Sequence, residues 1–469
     1  MGNSNLDILL VRPVNNKMPI IIPNLGLGYL ARQLNKNGFH AHILDCAKDH
    51  YTLDDFKKYL TGNKFDIVGI QIFTCDLSSA IKMINMVKEW DRNIITIAGG
   101  PHISGLADYT MRIVENLDYG FCGEAETGIV KFCQHIVSKD DVMLSDVPGL
   151  IYRKDGNVII NECAIAEDLD RLEFPEWDLI NPLTYPIAPQ GTFTKRLPVA
   201  PIITSRGCPY ECTYCGVKSN TGRRFRTRSL ENVITEIKWL MSKYGVREIH
   251  IEDDNFTLDR NRVARFCNLL IDKGIDISWA CPNGVRLDTL DADILHLMEK
   301  AGCYSFAIGI ESGSPKILMD MNRKISLDKM NEMIRLIASS TKIRMTGFVM
   351  VGYPTETLDD IENTIKFTLS LPLSRVQYSN FLPLPGTKIF DDLVNKGEIL
   401  LENLDWDSFQ DNTIAYSPPG IPPEELRRIM KNGFFRFYFR PKIIGGLLRE
   451  IHSFDQFKVV LKRVIDIFK

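Results

Sequence analysis

The sequence predicts an α/β protein in which a doubly wound parallel sheet is followed by an open (β/α)6 partial barrel and a C-terminal helical region. Short apolar runs alternate with amphipathic stretches over residues 1–136, the alternation stops over residues 137–198, and a second alternating series begins at residue 199. Such alternation is typical of parallel sheets covered by helices. We therefore expect an N-terminal domain (1–136), a linker (137–198), a barrel (199–390) and a helical cap (391–469).

Composition excludes several classes of protein. The 469 residues are 45% hydrophobic and 25% charged, as in a soluble globular chain with more than one core. The net charge of −3 gives no general attraction for nucleic acid, and no apolar run reaches the roughly 18 residues of a membrane span. The opening "MGNSNLDILLV" lacks the features of a signal peptide. We expect a cytoplasmic chain whose 11 cysteines are reduced thiols rather than a disulfide framework.

Five strands are predicted in the N-terminal domain. They are "DILLV", "HAHILD", "DIVGIQIF", "NIITIAGG" and "LDYGFCG", with helical stretches such as residues 77–90 between them. In the linker, "KDGNV" predicts a hairpin turn, and the proline-rich "FPEWDLINPLTYPIAPQG" predicts a connector packed on its neighbours. A doubly wound sheet binds its ligand at the carboxyl ends of its strands.

Six further strands are predicted in the barrel: "PVAPIITS", "REIHIED", "DISWAC", "YSFAIGI", "KIRMTGFVMV" and "RVQYSNF". A helical pattern separates each pair, and the first of these helices has an N-cap in Ser229 and a stop in Gly245. Six such units fit an open parallel barrel. In such barrels the loops at the carboxyl ends of the strands build the site.

The end of the chain is basic. Residues 426–469 contain eleven Lys and Arg against three acidic residues, and "GFFRFYFRPKIIGGLLREI" interleaves aromatic and basic side chains. A basic amphipathic helix of this kind can lie on an anionic membrane surface, or it can pack on the acidic remainder of the chain. No nucleic-acid recognition motif accompanies the charge, so we expect no nucleic acid as a partner.

Three closely spaced cysteines follow the first barrel strand. Cys208, Cys212 and Cys215 lie in "RGCPYECTYCG", and no fourth cysteine stands near them. Soft thiolates suit zinc or an iron-sulfur cluster, but structural zinc normally takes four protein ligands. Three thiolates can instead ligate three irons of a 4Fe-4S cluster and leave the fourth iron open to a substrate.

This stretch, with Tyr214 immediately before the last cysteine, resembles the radical S-adenosylmethionine superfamily over roughly residues 199–390. The resemblance implies that the open iron chelates the amino and carboxylate groups of S-adenosylmethionine. One electron from the cluster then cleaves it to methionine and a 5′-deoxyadenosyl radical. The barrel supplies orientation and excludes water.

The resemblance also implies roles at two other strand ends. In "IEDDNF" it places Asp253, Asp254 and Asn255 on the methionine amino group, although the same residue types favour helix starts. In "IGIESGS" it places Glu311 on the ribose hydroxyls and lets Gly313 approach the cofactor closely.

The later barrel strands carry weaker signals. "MTGFVMVGYP" resembles the glycine-bearing motif on the adenine side, with Gly347 and Gly352 as the glycines. "PLPGT", residues 383–387, follows the sixth strand. The order of these motifs along the chain carries more weight than any one of them.

The N-terminal domain resembles the cobalamin-binding module that precedes the barrel in a large subfamily of these enzymes. The resemblance rests on "PNLGLGYLARQLNKNGFHAHILD", "DIVGIQIF", "AGGPH" and "GFCGEAETG". It implies that Gly99 and Gly100 let a corrin approach the backbone and that Gly123 and Glu124 adjoin it. The alternative is a flavodoxin-like domain without a ligand.

The lower face of the cobalt is expected to have no histidine ligand. Many cobalamin proteins supply one from the loop after the first strand, because neutral imidazole is a good metal ligand. Here that loop, "RPVNNKMPIIIPNLGLGYL", contains no histidine. His102 in "GGPHIS" is the nearest alternative by motif, but it follows the fourth strand.

These resemblances imply a cobalamin-dependent radical enzyme that methylates an unreactive carbon or phosphorus centre of a small-molecule or lipid-like substrate. The electron donor would be a flavodoxin or ferredoxin. The alternatives are an oxidative cyclase with the same domain order and a methylthiotransferase. The latter is weakened because the N-terminal domain has no second cysteine triad and no RNA-binding end domain is recognisable. A chain that held no cluster would be a non-enzymatic binding protein.

Overall fold

The computed structural model describes residues 6–15, 21–138, 143–163, 165–186, 194–410 and 413–450. The N-terminal part of the chain forms one sheet of seven strands: β1 (Asp7–Arg12), β2 (His40–Asp45), β3 (Ile67–Gln71), β4 (Ile95–Gly99), β5 (Tyr119–Phe121), β6 (Leu150–Lys154) and β7 (Asn157–Ile160). The order across the sheet is β2-β1-β3-β4-β5-β6-β7, and β1 to β5 are parallel.

Helices cover both faces of this sheet. They are α1 (Leu25–Lys36), α2 (Leu53–Thr61), α3 (Leu77–Trp90), α4 (Pro101–Gly105), α5 (Ala107–Ile113) and α6 (Glu126–Val137). One apolar core lies beneath α1 and α6, and another lies beneath α2 and α3. Central strands such as β1 and β3 are almost wholly apolar because both of their faces are buried. The predicted doubly wound sheet is confirmed.

The predicted linker contributes two strands to the sheet. Asp155 and Gly156 have positive φ angles of 50° and 77°, as a two-residue hairpin turn requires. Strands β6 and β7 pair antiparallel, and β6 continues the sheet beside β5. The hairpin is confirmed, but the sheet has seven strands instead of five because the hairpin pairs with the edge that β5 would otherwise expose.

Two cysteines at this edge are bonded to each other. A disulfide joins Cys122, after β5, to Cys163, after β7. The N–H of Cys122 donates to the carbonyl of Gly149, and the N–H of Gly149 donates to that of Glu162, so the two segments run side by side. The expectation of reduced thiols is wrong for this pair. Their contact arises from the hairpin, and a separation of 41 residues gives no local spacing signal.

The barrel begins at residue 199. Its strands are β8 (Val199–Ile202), β9 (Ser205–Arg206), β10 (Arg226–Thr227), β11 (Glu248–Ile251), β12 (Ser278–Val285), β13 (Cys303–Glu311), β14 (Arg344–Val351) and β15 (Arg375–Asn380). Six of them form a parallel sheet in the order β8-β11-β12-β13-β14-β15, and the short β9 and β10 pair antiparallel beside it. All six predicted strands are present, and the open partial barrel is confirmed.

The barrel helices are α7 (Val217–Asn220), α8 (Leu230–Tyr244), α9 (Arg260–Asp272), α10 (Ala292–Lys300), α11 (Pro315–Asp320), α12 (Leu327–Ser340), α13 (Leu358–Ser370) and α14 (Lys388–Asn395). The ends of α8 agree with the sequence prediction. Ser229 Oγ accepts a hydrogen bond from the N–H of Asn232, and Gly245 closes the helix at a φ of 65°.

The C-terminal region is helical and packs on the barrel. It contains α15 (Pro423–Tyr438) and α16 (Pro441–Glu450). Leu426 and Phe437 are fully buried, and Gly433 lies close to Ile365 of α13. The alternative in which this basic helix packs on the chain is therefore the one observed for α15. Residues 451–469, the rest of the basic tail, lie outside the described residues. In the described part of the chain, none of the helices is long and apolar enough to cross a membrane.

The carboxyl edge of the N-terminal sheet lies against the loops of the barrel. A Cβ at Gly105, the end of α4, would overlap the carbonyl group of Pro385 in the "PLPGT" loop. A Cβ at Gly386 would lie 2.9 Å from Gly105 Cα and 3.1 Å from Ser219 Cβ of α7. The two glycines allow this close contact, and it places both predicted cofactor sites at one interface.

Two glycines that were predicted to adjoin the cofactor pack inside the barrel wall. A Cβ at Gly313 would lie 2.6 Å from Thr364 Cα of α13. A Cβ at Gly347 would lie 2.8 Å from the Ile310 side chain and 3.0 Å from that of Leu373. Close packing therefore accounts for both glycines, against the backbone of a helix for Gly313 and against apolar side chains for Gly347.

Gly313→Ala should destabilise the barrel by about 1 to 3 kcal/mol, because the added methyl group meets helix backbone that cannot move aside. Thermal denaturation followed by circular dichroism would show a lower midpoint. Gly446→Ala is the matched control, since a Cβ at Gly446 in α16 meets nothing within 4 Å. Equal midpoints for Gly313→Ala and the parent would contradict this account.

Candidate active site

The three predicted cluster ligands lie on one loop at the carboxyl edge of the barrel sheet. Cys208, Cys212 and Cys215 follow β9, are half-buried, and form no disulfide. The three thiols interact electrostatically with one another. Burial raises the pKa of Cys208 and raises that of Cys215 to about 12, so iron must displace their protons when it binds.

Two acidic residues after β11 hold the backbone of this loop. The carboxylate of Asp253 accepts hydrogen bonds from Thr204 N, Thr204 Oγ1 and Ser205 Oγ, each at 2.6 Å. The carboxylate of Asp254 accepts from Gly207 N at 2.8 Å and Thr221 Oγ1 at 2.6 Å. Asp253, which is 2% exposed, thus helps to hold the backbone that leads into the loop, and its contact with methionine stays a prediction.

Asn255 contacts Cys208, the first of the three cysteines, directly. Its Nδ2 lies 3.8 Å from Cys208 Sγ and donates to it. Its Oδ1 is buried and has no hydrogen-bond partner among the described residues. A buried oxygen without a partner is costly unless a ligand supplies a donor. The predicted contact of Asn255 with the methionine amino group fits this position.

The segment after α11 supports the loop from the opposite side. The N–H of Thr213 donates to the carbonyl of Met321 at 3.1 Å, and Asn322 Nδ2 donates to the carbonyl of Glu211 at 2.8 Å. Arg323 Nη1 donates to Cys212 Sγ at 3.9 Å. Because hydrogen bonds to ligand sulfurs tune iron-sulfur clusters, Arg323 belongs to the site. Sequence reasoning missed it, since "MNRKIS" carries no recognisable motif.

Glu311 ends β13 in a strained conformation beside the loop. Its φ is 62°, a region that residues other than glycine rarely adopt and that is common at functional sites. The hydroxyl of Tyr214 hydrogen-bonds to its carboxylate, and Arg323 Nη2 lies 3.9 Å from it. Burial raises the pKa of Glu311. A Cβ at Gly309 would overlap Glu311 Oε1, so the Glu311 carboxylate can occupy this position only because residue 309 is a glycine.

Gly352 follows β14 at the same edge of the barrel. Its φ is 89°, which favours glycine, and its N–H donates to Glu356 Oε2 at 2.6 Å. The contact with adenine that the resemblance implies for Gly352 stays a prediction.

The predicted corrin site lies at the carboxyl ends of β4 and β5. A Cβ at Gly99 would meet no atom of a described residue within 4 Å, whereas Gly100, at a φ of 105°, lies against the backbone of Ile72. Gly123 has a φ of 68°, and its N–H donates to Ser104 Oγ at 3.0 Å. The open space beside Gly99 fits a ligand that lies on the backbone.

Two other predicted corrin contacts are engaged inside the protein. Glu124 forms an ion pair with Arg226 at 2.6 Å and is 7% exposed, so its carboxylate joins the two domains. His102 is fully buried, with its ring 5.1 Å from that of Trp406 and Nδ1 3.4 Å from Thr74 Oγ1. Burial lowers the pKa of His102 to about 4. Both side chains are therefore engaged in packing and domain contact, and the corrin contacts that the resemblance implies for them stay predictions.

Two sequence families match the chain in the predicted order. The B12 binding domain family matches residues 11–132, and the radical SAM superfamily matches residues 202–368. An uncharacterised methyltransferase of Pyrococcus horikoshii is 28% identical and covers 94% of this chain and 92% of its own length. The cytidylyl-2-hydroxyethylphosphonate methyltransferase of Streptomyces wedmorensis is 26% identical, with 83% and 82% covered. The anaerobic magnesium-protoporphyrin IX monomethyl ester cyclase of Cereibacter sphaeroides is 24% identical, with 89% and 67% covered.

Two solved structures share the fold. The cobalamin-dependent S-adenosylmethionine radical enzyme OxsB superposes with a TM-score of 0.77 at 16% identity, covering 99% of this chain and 71% of that one. The radical S-adenosylmethionine methyltransferase TsrM from Kitasatospora setae superposes with a TM-score of 0.70 at 16% identity, with 93% and 90% covered. The likeness extends over both domains.

The chain belongs to the radical SAM superfamily, in the group whose barrel follows a B12-binding domain. The cofactors of this group are a 4Fe-4S cluster, S-adenosylmethionine and cobalamin. The residues present fit each of them: a loop with three thiols, a buried Asn255 oxygen without a partner among the described residues, the buried Glu311 carboxylate, and space at Gly99 that no described residue fills. Within the described ranges, no group of three or more His, Cys, Asp or Glu side chains is arranged to hold a single metal ion.

Glu311→Gln should weaken the binding of S-adenosylmethionine about tenfold to a hundredfold. A carboxylate that accepts hydrogen bonds from the two ribose hydroxyls contributes about 1.5 to 3 kcal/mol when buried. Equilibrium dialysis with the cluster-loaded protein measures the dissociation constant. Glu332→Gln, an exposed glutamate of α12, is the control. Unchanged affinity in Glu311→Gln would move the ribose site elsewhere.

The cobalt of bound cobalamin should have no strongly coupled axial nitrogen. The loop after β1 contains no histidine, and His102 is buried under Trp406. The dimethylbenzimidazole tail should be displaced from the metal, which leaves the lower position to water or to nothing. Electron paramagnetic resonance of the Co(II) form tests this. A nitrogen splitting that disappears in His102→Ala would contradict the prediction.

Proposed function

We propose that this protein is a cobalamin-dependent radical S-adenosylmethionine methyltransferase that acts on an unactivated carbon or phosphorus centre. The observation that carries the proposal is the single interface at which the three-thiol loop and the open edge of the B12-binding domain meet. The similarity to methyltransferases over most of the chain supports the same reaction. The substrate is a small or lipid-like molecule, and the electron comes from a flavodoxin or ferredoxin.

When bound, the cofactors supply a 5′-deoxyadenosyl radical, which removes a hydrogen atom from the substrate, and a methyl group carried by cobalamin. The protein supplies position and charge. Cys208, Cys212 and Cys215 hold the cluster, and Arg323 places a cation beside the sulfur of Cys212. Glu311 is held by Tyr214 and Arg323 where it can accept the ribose hydroxyls.

The loops on which these side chains lie are tied to rigid strands. Asp253 accepts from the peptide N–H of Thr204 just before β9, and Asp254 accepts from that of Gly207 at the start of the cysteine loop. The carbonyl of Met321 accepts from a peptide N–H in the middle of the loop. Catalytic groups held by such contacts need little reorganisation during a reaction. Contact between the "PLPGT" loop and α4 closes one side of the interface, which helps to exclude water from a reactive radical.

An oxidative cyclase is the second candidate, since cyclases of similar domain order are among the relatives. The two reactions differ in the fate of S-adenosylmethionine. Methyl transfer consumes a second molecule to restore methylcobalamin, and this releases S-adenosylhomocysteine. A cyclase releases 5′-deoxyadenosine alone.

The test is anaerobic reconstitution with iron, sulfide and hydroxocobalamin, reduction, and addition of S-adenosylmethionine that carries a CD3 group. Mass spectrometry should show 5′-deoxyadenosine, S-adenosylhomocysteine and cobalamin with the CD3 label. Formation of 5′-deoxyadenosine without S-adenosylhomocysteine or labelled cobalamin would favour the cyclase. Neither product from a protein that holds a full cluster would contradict both candidates.

Cys212→Ala should abolish the release of 5′-deoxyadenosine, because a thiolate is the required ligand. Cys133→Ala is the matched control, since Cys133 is a free, fully buried cysteine of α6 outside the loop. Normal release by Cys212→Ala would contradict the assignment of the cluster.

A further inference from the structure

A group of buried charges crosses the boundary between the two domains. Arg206 Nη2 lies 2.7 Å from Glu126 Oε1, and Arg206 Nη1 lies 3.5 Å from Glu124 Oε2. Arg226 donates to both carboxylate oxygens of Glu124, at 2.6 and 2.9 Å. All four side chains are at most 8% exposed, and the arginines belong to the barrel while the glutamates belong to the B12-binding domain.

On the barrel side, these arginines lie at the two ends of the cysteine loop. Arg206 and Arg226 face each other in the β9–β10 pair, and Gly207 alone separates Arg206 from Cys208. Arg226 Nη2 also donates to the carbonyl of Thr221 at 2.6 Å. The loop from residue 207 to residue 221 is therefore held at both of its ends by arginines that bind glutamates of the other domain.

On the side of the B12-binding domain, the two glutamates lie next in the chain to the residues of the predicted corrin site. Ser104 Oγ donates to the carbonyl of Gly100 at 2.9 Å and accepts from the N–H of Gly123 at 3.0 Å. Glu124 follows Gly123 directly, and Glu126 begins α6. A ligand on the backbone of Gly99 and Gly100 thus fixes the segment that carries both carboxylates.

The loss of one of these buried ion pairs would cost free energy of folding. A buried arginine that loses one of its carboxylate partners is left as an uncompensated charge, which is strongly destabilising. The ring of Tyr29 lies 5.1 Å from the Arg206 guanidinium, but it carries no charge to replace the carboxylate. The observed position of Arg206, and with it the start of the cysteine loop, therefore depends on Glu124 and Glu126 being in place.

We propose that Arg206 is a positioning residue for the cluster loop and that, through Glu126, it links occupancy of the corrin site to the affinity of the barrel for S-adenosylmethionine. Cobalamin favours the arrangement in which Glu124 and Glu126 hold the loop, and S-adenosylmethionine binds to the cluster that this loop presents. Linkage is reciprocal, so each cofactor raises the affinity for the other. The inference rests on the three cofactors and does not require methyl transfer.

The dissociation constant of S-adenosylmethionine is measured on cluster-loaded protein with and without hydroxocobalamin. We expect hydroxocobalamin to lower it about fivefold or more in the parent, the lower end of typical coupling between sites. Glu126→Gln keeps an acceptor for Arg206 but removes the charge. In this variant, the ratio of the dissociation constant without hydroxocobalamin to that with it should fall to within about twofold of one. The electron paramagnetic resonance spectrum of the reduced cluster should change with hydroxocobalamin in the parent and not in Glu126→Gln.

Glu236→Gln is the matched control. Glu236 forms an equally buried ion pair with Arg228 at 2.6 Å, but both residues belong to the barrel. It should keep the ratio of the parent. Ser104→Ala is a second variant: Ser104 is half-buried, and the change removes the hydrogen bond to Gly123 without altering any of the four charged side chains. It should lower this ratio with the fold intact, as far-ultraviolet circular dichroism would show.

A ratio of one in the parent would overturn the proposal. The parental ratio in Glu126→Gln would also overturn it, and so would an equal loss of the ratio in Glu236→Gln. Coupling without S-adenosylhomocysteine release in the product assay would leave this inference standing and contradict methyl transfer alone.

Discussion

The structure depends on one constraint: a single short loop that carries three thiols must be held in one position. The loop between β9 and β10 has little regular structure of its own, so its peptide groups must find partners elsewhere. They find them in the carboxylate of Asp254 after β11 and in the backbone after α11. Residues at the ends of several strands and helices thus hydrogen-bond to this one loop, and this explains why polar residues are concentrated at this edge of the barrel.

The same constraint accounts for the buried charges at the domain interface. Ions are costly to bury, and pairs such as Arg206 with Glu126 persist only where their geometry satisfies both partners. An apolar contact could hold two domains together without the cost of removing ions from water. It would, however, restrict the position of the loop less closely. Charged hydrogen bonds are directional, and here they join the end of β5 to the start of the cysteine loop.

Much of the fold and of the chemical class could be predicted from local patterns. The six barrel strands, the α8 caps, the hairpin turn and the cysteine spacing each depend on residues close together in the chain. The parts that sequence reasoning missed depend on distant contacts. Arg323 reaches Cys212 across 111 residues, and Glu124 meets Arg226 across 102. Gly313 looked like a cofactor glycine because its strand end adjoins the site, yet its neighbour is a helix.

The sequence by itself determined the alternating strands and helices, the domain order and the candidate ligands of the cluster, because hydrophobic period and ligand spacing are local properties. Only the tertiary structure decided which polar residues remain open to a ligand. Asp253 and Glu124 have the residue types of a binding site, but Thr204, Ser205 and Arg226 already satisfy them. Asn255 keeps an oxygen for which the described part of the chain offers no partner. Whether a polar group is satisfied depends on what the fold brings to it, and no local pattern contains that information.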